Sequence, residues 1–441
     1  MNRRYILALG FYLISASGFA QTPANPTNPI TISKKTEIKN TIETETGKIK
    51  SNPNNADAYL ERGIAWHMID DNRKALVDLN KAISLNPNNA KAYHYRGKVK
   101  SSLGDNRGAV SDQSEASKLS PKDSKIFLAR GIAYFQMHDN KRALQDFDKT
   151  IILSPNTCEA FYQRALVKNK MGYKMDALND FFKATELNPN HLESYLERSK
   201  IKFQLNNHKG AIKDFNKIIE LAKGDTPAEV FSNRGVSRAT LGDFKGAVDD
   251  YNKAIIIDPK NDDVYYNKGV ARFNLGDANG AIEDYSKAIE LNDKNAQAWH
   301  DRGVAEFESG DNNQALQDYN SAISLGLKND IVFSNRGVVK YMLEDYKGAL
   351  NDYTTSLEMN SKNEKACYNR GMARLKLKDY KGAIKDFTHA IDLSPENADA
   401  YFNRAEAKRH IDKTNSSCMD WSKAGELGYY EAYDMIKQHC N

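Results

Sequence analysis

The chain has 441 residues, of which 40% are hydrophobic and 27% charged. That composition excludes a disordered polymer, and the length exceeds what one compact core holds, so the chain is either several domains or a repeat array. The net charge is +5, and removal of residues 1–20 leaves 61 basic against 58 acidic residues, or +3. So near a balance argues against a nucleic-acid partner, and no long run of one sign marks a polybasic membrane patch.

The first twenty residues read as a secretory signal. Asn2-Arg3-Arg4 is the positive end, Tyr5 to Ile14 the apolar stretch, and Gly18 and Ala20 are the small residues before a cleavage at Gln21. An uncleaved anchor is the alternative, but the apolar stretch is short for a bilayer span, which needs about 20 residues. No cysteine adjoins the cleavage point, and no later segment is apolar enough to span a membrane. The expected location is therefore the periplasm or the outside of the cell. Residues 21–34 are rich in Pro, Asn and Thr and read as a flexible lead-in. Residues 35–55 follow as a lone helix over Thr36–Lys50, stopped by Pro53.

From Ala56 onward the sequence falls into rows of 34 residues whose positions recur. Position 4 is Tyr59, Tyr93, Phe127, Phe161 and so on, with Cys367 in the tenth row. Position 8 is glycine in eight rows, and Ala165, Ser199 and Ala405 in the others. Position 20 is alanine in ten rows, from Ala75 to Ala383, and position 24 is mostly aromatic, as in Phe147, Tyr251 and Trp421. Each row predicts two amphipathic helices broken near Gly104-Asp105, Gly242-Asp243 or Gly276-Asp277. Small residues let the two backbones approach, rings fill the flanks, and prolines such as Pro87 and Pro259 stop the second helix. The step from row 5 to row 6 is 36 residues, through Lys223-Gly224-Asp225-Thr226-Pro227, which predicts a longer loop.

This period and pattern resemble the tetratricopeptide repeat family, with Trp299, Arg302, Gly303, Glu306, Ala315, Tyr319 and Ala322 standing where its signature residues would. The resemblance covers 56 to about 427 and implies an all-α, right-handed superhelical solenoid of about eleven helix-turn-helix repeats. Residues 56–397 are then ten repeats, 398–427 an eleventh and divergent one, 35–55 an N-terminal capping half-repeat, and 428–441 a C-terminal capping helix. The family usually has leucine at position 7; here it is arginine in ten rows and Lys268 in the other.

Position 23 is aspartate in all eleven rows. Both this position and position 7 lie beside core positions, and half-buried charges persist when paired. A structural ladder of ion pairs is expected, among them Arg234 with Asp250, Arg302 with Asp318, Arg336 with Asp352, and Arg370 with Asp386, within a row or between adjacent rows.

By the resemblance, a partner lies in a concave groove lined by first helices. Position 6 becomes Asn233, Asn267, Asp301, Asn335, Asn369 and Asn403 in rows 6–11, a ladder of groups able to clamp an extended peptide backbone if exposed. Beside it stand Tyr266, His300, Tyr368 and Phe402 at position 5 and Phe273, Phe307 and Tyr341 at position 12. The opposing reading is that asparagine is merely a common surface residue of the repeat. Position 9 is mostly valine or isoleucine, as in Val236, Val270 and Val304, so the family's clamp for C-terminal carboxylates is not expected.

Cys158, Cys367, Cys418 and Cys440 lack the paired close spacing of a zinc site, and no metal or cofactor is expected. Cys418 and Cys440 come to similar heights if the last helices turn back at Gly428, and some exported members of the family carry a cysteine-bearing capping helix. A disulfide pinning that helix is expected; two free thiols are the alternative. The nine histidines are scattered, and none of the H-E-x-x-H, G-x-S-x-G or phosphate-loop patterns occurs. The expected function is a non-catalytic scaffold that binds a protein or peptide. A self-assembling structural spacer in the cell envelope is the alternative, and an enzyme the least favoured.

Overall fold

The computed structural model describes residues 32–411 and 414–440, and all regular structure among them is α-helical. The expected export signal and the lead-in up to residue 31 lie outside the described residues.

Local chemistry sets each hairpin. In eight rows the second helix is capped by an aspartate whose side chain accepts a backbone amide three residues on: Asp105 from Gly108 at 2.8 Å, Asp243 from Gly246 at 2.9 Å, Asp277 from Gly280 at 2.9 Å. The residue before the cap turns left-handed, with φ of 84° at Gly104 and Gly242, and 61° at Asp70 where no glycine stands. Seven first helices are capped by asparagine in the same way, as Asn295 accepts from the Ala298 amide at 3.1 Å.

Those two helices close face to face because position 8 has no room for a side chain. A Cβ on Gly235 would stand 2.6 Å from the Tyr251 ring, and one on Gly371 2.7 Å from the Phe387 ring. Beneath them Ala247, Tyr251 and Ala254, and likewise Ala383, Phe387 and Ala390, are fully buried or nearly so. Each such ring contributes about 4 kcal/mol of transfer free energy as an upper bound.

The described residues form two compact units that divide between Thr226 and Pro227, inside the one 36-residue step. The first opens with α1 (Ile32–Ser51), which starts ahead of the expected Thr36. It continues with the pairs α2 (Ala56–Met68) and α3 (Asn72–Leu85), then α4 (Ala90–Ser102) and α5 (Asn106–Leu119). The pairs α6 (Ser124–Gln136) and α7 (Asn140–Leu153), α8 (Cys158–Lys170) and α9 (Lys174–Leu187), and α10 (Leu192–Gln204) and α11 (His208–Ala222) complete it.

The second unit holds the pairs α12 (Ala228–Thr240) and α13 (Phe244–Ile257), α14 (Asp262–Asn274) and α15 (Ala278–Leu291), and α16 (Ala296–Ser309) and α17 (Asn312–Ser324). The pairs α18 (Asp330–Met342) and α19 (Tyr346–Met359), α20 (Glu364–Lys376) and α21 (Tyr380–Leu393), and α22 (Ala398–Arg409) and α23 (Thr414–Glu426) follow. A last helix, α24 (Ala432–His439), packs on α23 after a turn at Gly428, whose φ is 96°. Within each unit a helix pairs with its hairpin mate, and both helices of most rows meet the first helix of the next row, so an apolar seam runs through each unit.

Candidate functional site

The ion pairs form inside rows. Arg302 donates Nε and Nη2 to Asp318 at 2.7 and 2.9 Å, Arg336 to Asp352 at 2.8 and 2.7 Å, and Arg370 to Asp386 at 3.0 and 2.7 Å. Arg234 makes the same pair with Asp250 at 2.8 and 2.5 Å, and the rows of the first unit repeat it, as in Arg96 with Asp112. Lys268 reaches Asp284 with one ammonium contact at 2.8 Å. The third guanidinium nitrogen faces the other way. Arg302 Nη1 donates to Ser286 at 3.0 Å, Arg336 to Asn320 at 2.8 Å, Arg404 to Thr388 at 3.1 Å, and Arg62 to Thr46 of α1 at 3.1 Å. Each of these arginines thus ties its own second helix to the second helix before it. Leucine could fill that space but could not make those bonds, and a planar fork suits the task.

Two further positions of this network were not singled out in the sequence reading, although both recur visibly in the rows. Position 25 supplies the acceptors just named. Position 11 is lysine or arginine in eight rows and places a second cation on the same aspartate, as Lys340 does on Asp352 at 2.8 Å and Arg374 on Asp386 at 2.7 Å. In row 8 that position is Glu306, 5% exposed, 3.7 Å from Arg302 and making no hydrogen bond through Oε2. Burial, and then the neighbouring Asp318 carboxylate, raise its pKa well above the usual carboxylate range.

First helices of successive rows touch one another from α12 to α22, which lays the expected partner-binding residues along one wall of the second unit. They do not stand there as a uniform exposed ladder. Asp301 and Asn369 are buried, at 2% and 6% exposure, and Tyr266 is buried with them. The cause is a rung between rows: position 5 of one row meets position 6 of the next. Tyr266 donates its hydroxyl to Asp301 at 2.7 Å, His300 Nε2 lies 3.3 Å from the Asn335 amide, and Asn403 donates to the Tyr368 hydroxyl at 3.1 Å. His300 Nδ1 and the Gln297 amide complete the bonds on the other Asp301 oxygen, at 2.8 and 2.9 Å. Phe402 stacks on Tyr429, ring centres 4.5 Å apart, and so serves the C-terminal cap.

Asn233, Asn267 and Asn335 remain half-buried on that wall, as do Phe273, Phe307 and Tyr341 at position 12. The three rings recur at 34-residue spacing on α14, α16 and α18. Tyr341 rests edge-on against Tyr346 at 5.2 Å, and burial pushes its phenol pKa upward, so it is a neutral, amphipathic group at any ordinary pH. The wall offers apolar plates beside amide donors and acceptors. No group of three or more potential metal ligands occurs among the described residues.

At the C-terminal end Cys418 of α23 and Cys440, just past α24, form a disulfide with Cα atoms 5.8 Å apart. Cys367 is buried, and Cys158 donates its thiol to the Ala184 carbonyl at 3.3 Å. Burial raises both of these thiols to about 11, which keeps them unreactive. No helix among the described residues is long and apolar enough to cross a membrane.

Sequence models of the tetratricopeptide repeat match residues 192–225, 263–295 and 364–397, and a TPR repeat model matches 235–276. No curated protein matches the sequence. Among solved structures, the APC/C hetero-tetramer Cut9-Hcn1 aligns over 92% of this chain and 94% of that one, with 15% identity and a TM-score of 0.42. The C-terminal part of a TPR repeat-containing protein from Cytophaga hutchinsonii aligns over 54% and 98%, with 20% identity and a TM-score of 0.45. YrrB, described as a TPR protein with an unusual peptide-binding site, aligns over 42% and 97%, with 22% identity and a TM-score of 0.40.

Proposed function

We propose that this chain, a tetratricopeptide-repeat protein, is a non-catalytic scaffold that holds an extended segment of a partner polypeptide along the first-helix wall of its second unit. The observation that carries this reading is the row of Phe273, Phe307 and Tyr341 on helices that touch one another, flanked by the half-buried amides of Asn233, Asn267 and Asn335. Rings placed beside amide groups can anchor side chains while the amides bond a peptide backbone. Asp301, Asn369 and Tyr266 are buried and take no direct part; Tyr266 and Asp301 bond across neighbouring rows. The export signal read at residues 1–20 supports placing this scaffold in the periplasm or outside the cell.

A photo-reactive side chain at Asn267, on the wall, and one at Glu283, on the exposed side of α15, test the assignment in cells. The expected result is one partner cross-linked from position 267 and not from 283. Asn233→Ala with Asn267→Ala should then weaken that partner about tenfold or more while the melting temperature stays put. Cross-links confined to position 283, or affinity untouched by the double substitution, would move the binding face elsewhere. Cross-links from this chain to its own copies would favour the spacer reading.

A further inference from the structure

One row departs from the pattern that packs every other arginine. Position 4 is aromatic in ten rows and is Cys367 in the tenth. In nine rows that ring lies over the guanidinium three residues on, with Cζ 4.8–5.8 Å from the ring centre. The remaining aromatic row carries Lys268 in place of arginine. Arg370 therefore has no ring. It holds Asp386 through Nε and Nη2, and Nη1, unlike that of Arg336 or Arg404, finds no acceptor on the preceding second helix. Thr354, which stands where that acceptor would be, donates its hydroxyl to the Leu350 carbonyl, as Thr388 does to Ile384, but does not receive the arginine as Thr388 does.

A cleft of about 300 Å³ opens beside this guanidinium, on the second-helix side of rows 9 and 10 and away from the first-helix wall. Thr354, Leu357 and Glu358 of α19 form one side, Arg370 and the buried Cys367 of α20 the floor, and His389 of α21 the rim. His389 lies with Nε2 3.0 Å from the Ser361 carbonyl; the tautomer that donates there leaves Nδ1 as an acceptor. The volume is at the small end for ligand sites and suits a single ring.

We propose that this cleft receives an aromatic side chain from a partner polypeptide, which lies on the Arg370 guanidinium as the chain's own rings lie on nine others. Those nine rows are internal examples of the filled state, and in each the ring is an amino-acid side chain. A flat ring gains cation–π attraction and covers a half-desolvated cation. Tyrosine suits the cleft best, because beyond the stacked ring its hydroxyl can donate to His389 Nδ1 or to Glu358. The site is separate from the wall proposed above and stands or falls without it.

The test is an NMR titration of the full chain, watching the Arg370 side-chain and His389 ring signals. The probes are a capped Gly-Gly-Tyr-Gly-Gly peptide, its leucine counterpart, and p-cresol. The tyrosine peptide should bind about tenfold more tightly than the leucine peptide. Cys367→Tyr, which supplies the ring from within, should lose that binding while keeping or raising the melting temperature. If that variant does not fold, Ser361→Trp on the exposed rim blocks the cleft without touching the core. Equal binding of the two peptides, or tyrosine binding undiminished in a blocked variant, overturns the proposal. If p-cresol binds as tightly as the peptide, the site takes free aromatic molecules and the polypeptide assignment is wrong.

Discussion

Arg130 and Asp146 meet side on across a hairpin, with Nε and Nη2 of the guanidinium each 2.8 Å from a carboxylate oxygen. Asp146 is 5% exposed, and the third nitrogen of Arg130 has Ser117 at 3.2 Å. Asp146→Ala leaves a cation largely out of water with only hydroxyl partners. The expected loss is about 3 kcal/mol, read as faster amide exchange in α6 and α7. Leucine at both positions should recover to within about 1 kcal/mol of the original, because no charge is then stranded. Equal losses in the single and double variants would show that packing, not charge pairing, holds the hairpin.

Gly371→Ala drives a methyl to 2.7 Å from the Phe387 ring, which is fully buried and cannot retreat to solvent. The expected destabilisation is about 2 kcal/mol, seen as a lower melting temperature. Adding Phe387→Leu should relieve most of the clash. The same substitution at Gly172, where a Cβ would meet nothing but φ is 87°, should cost about 1 kcal/mol through backbone strain alone.

Glu306→Lys puts a cation where eight other rows have one, beside Asp318. The expected gain is about 1–2 kcal/mol by chemical denaturation. The unsubstituted protein should also show a pH dependence localised to row 8. The Glu306 pKa is raised in the folded state, so folding binds a proton there. Its contribution is full below the ordinary carboxylate pKa and is lost as pH rises through the raised value. Protection of the α16 and α17 amides, taken relative to their intrinsic exchange rate at each pH, should therefore fall toward alkaline pH, and Glu306→Gln should flatten that trend. A trend that survives Glu306→Gln belongs to another group.

Reduction of the Cys418–Cys440 disulfide, or Cys440→Ser, releases a loop closed over a sequence separation of 22. The expected effect is a loss of about 3 kcal/mol by chain-entropy arguments, confined to α23 and α24. Mass-resolved hydrogen exchange should show those helices opening while α20 and α21 hold. Loss of protection through the whole second unit would make the disulfide a keystone of that unit, which its place on the last pair does not suggest.

The row frame was readable because its chemistry repeats: an aspartate in every row, a glycine under a ring, and a cap residue at most turns all carry their own physical reason. The fate of the polar wall was not readable in the same way. Asn267, Asp301 and Asn369 occupy one position in rows 7, 8 and 10, yet burial separates them. For Asp301 the cover comes from 35 places earlier, a tyrosine whose hydroxyl lies 2.7 Å away. The Glu306 anomaly was hidden for a related reason. It fits the family signature by type, and only the missing cation at position 11 shows that two carboxylates share one arginine there.

The double grip of the arginines gives the stack a polarity. Arg336 needs Asp352, which follows it, and Asn320, which precedes it. A chain emerging from its N-terminal end therefore meets a ready partner for each new guanidinium before the matching aspartate has been made. Trimming from that end strands the outer nitrogen of the next arginine, whereas trimming whole rows from the other end strands none. Growth and erosion are thus unequal at the two ends, and α1, through Thr46 on Arg62, is what lets the series begin.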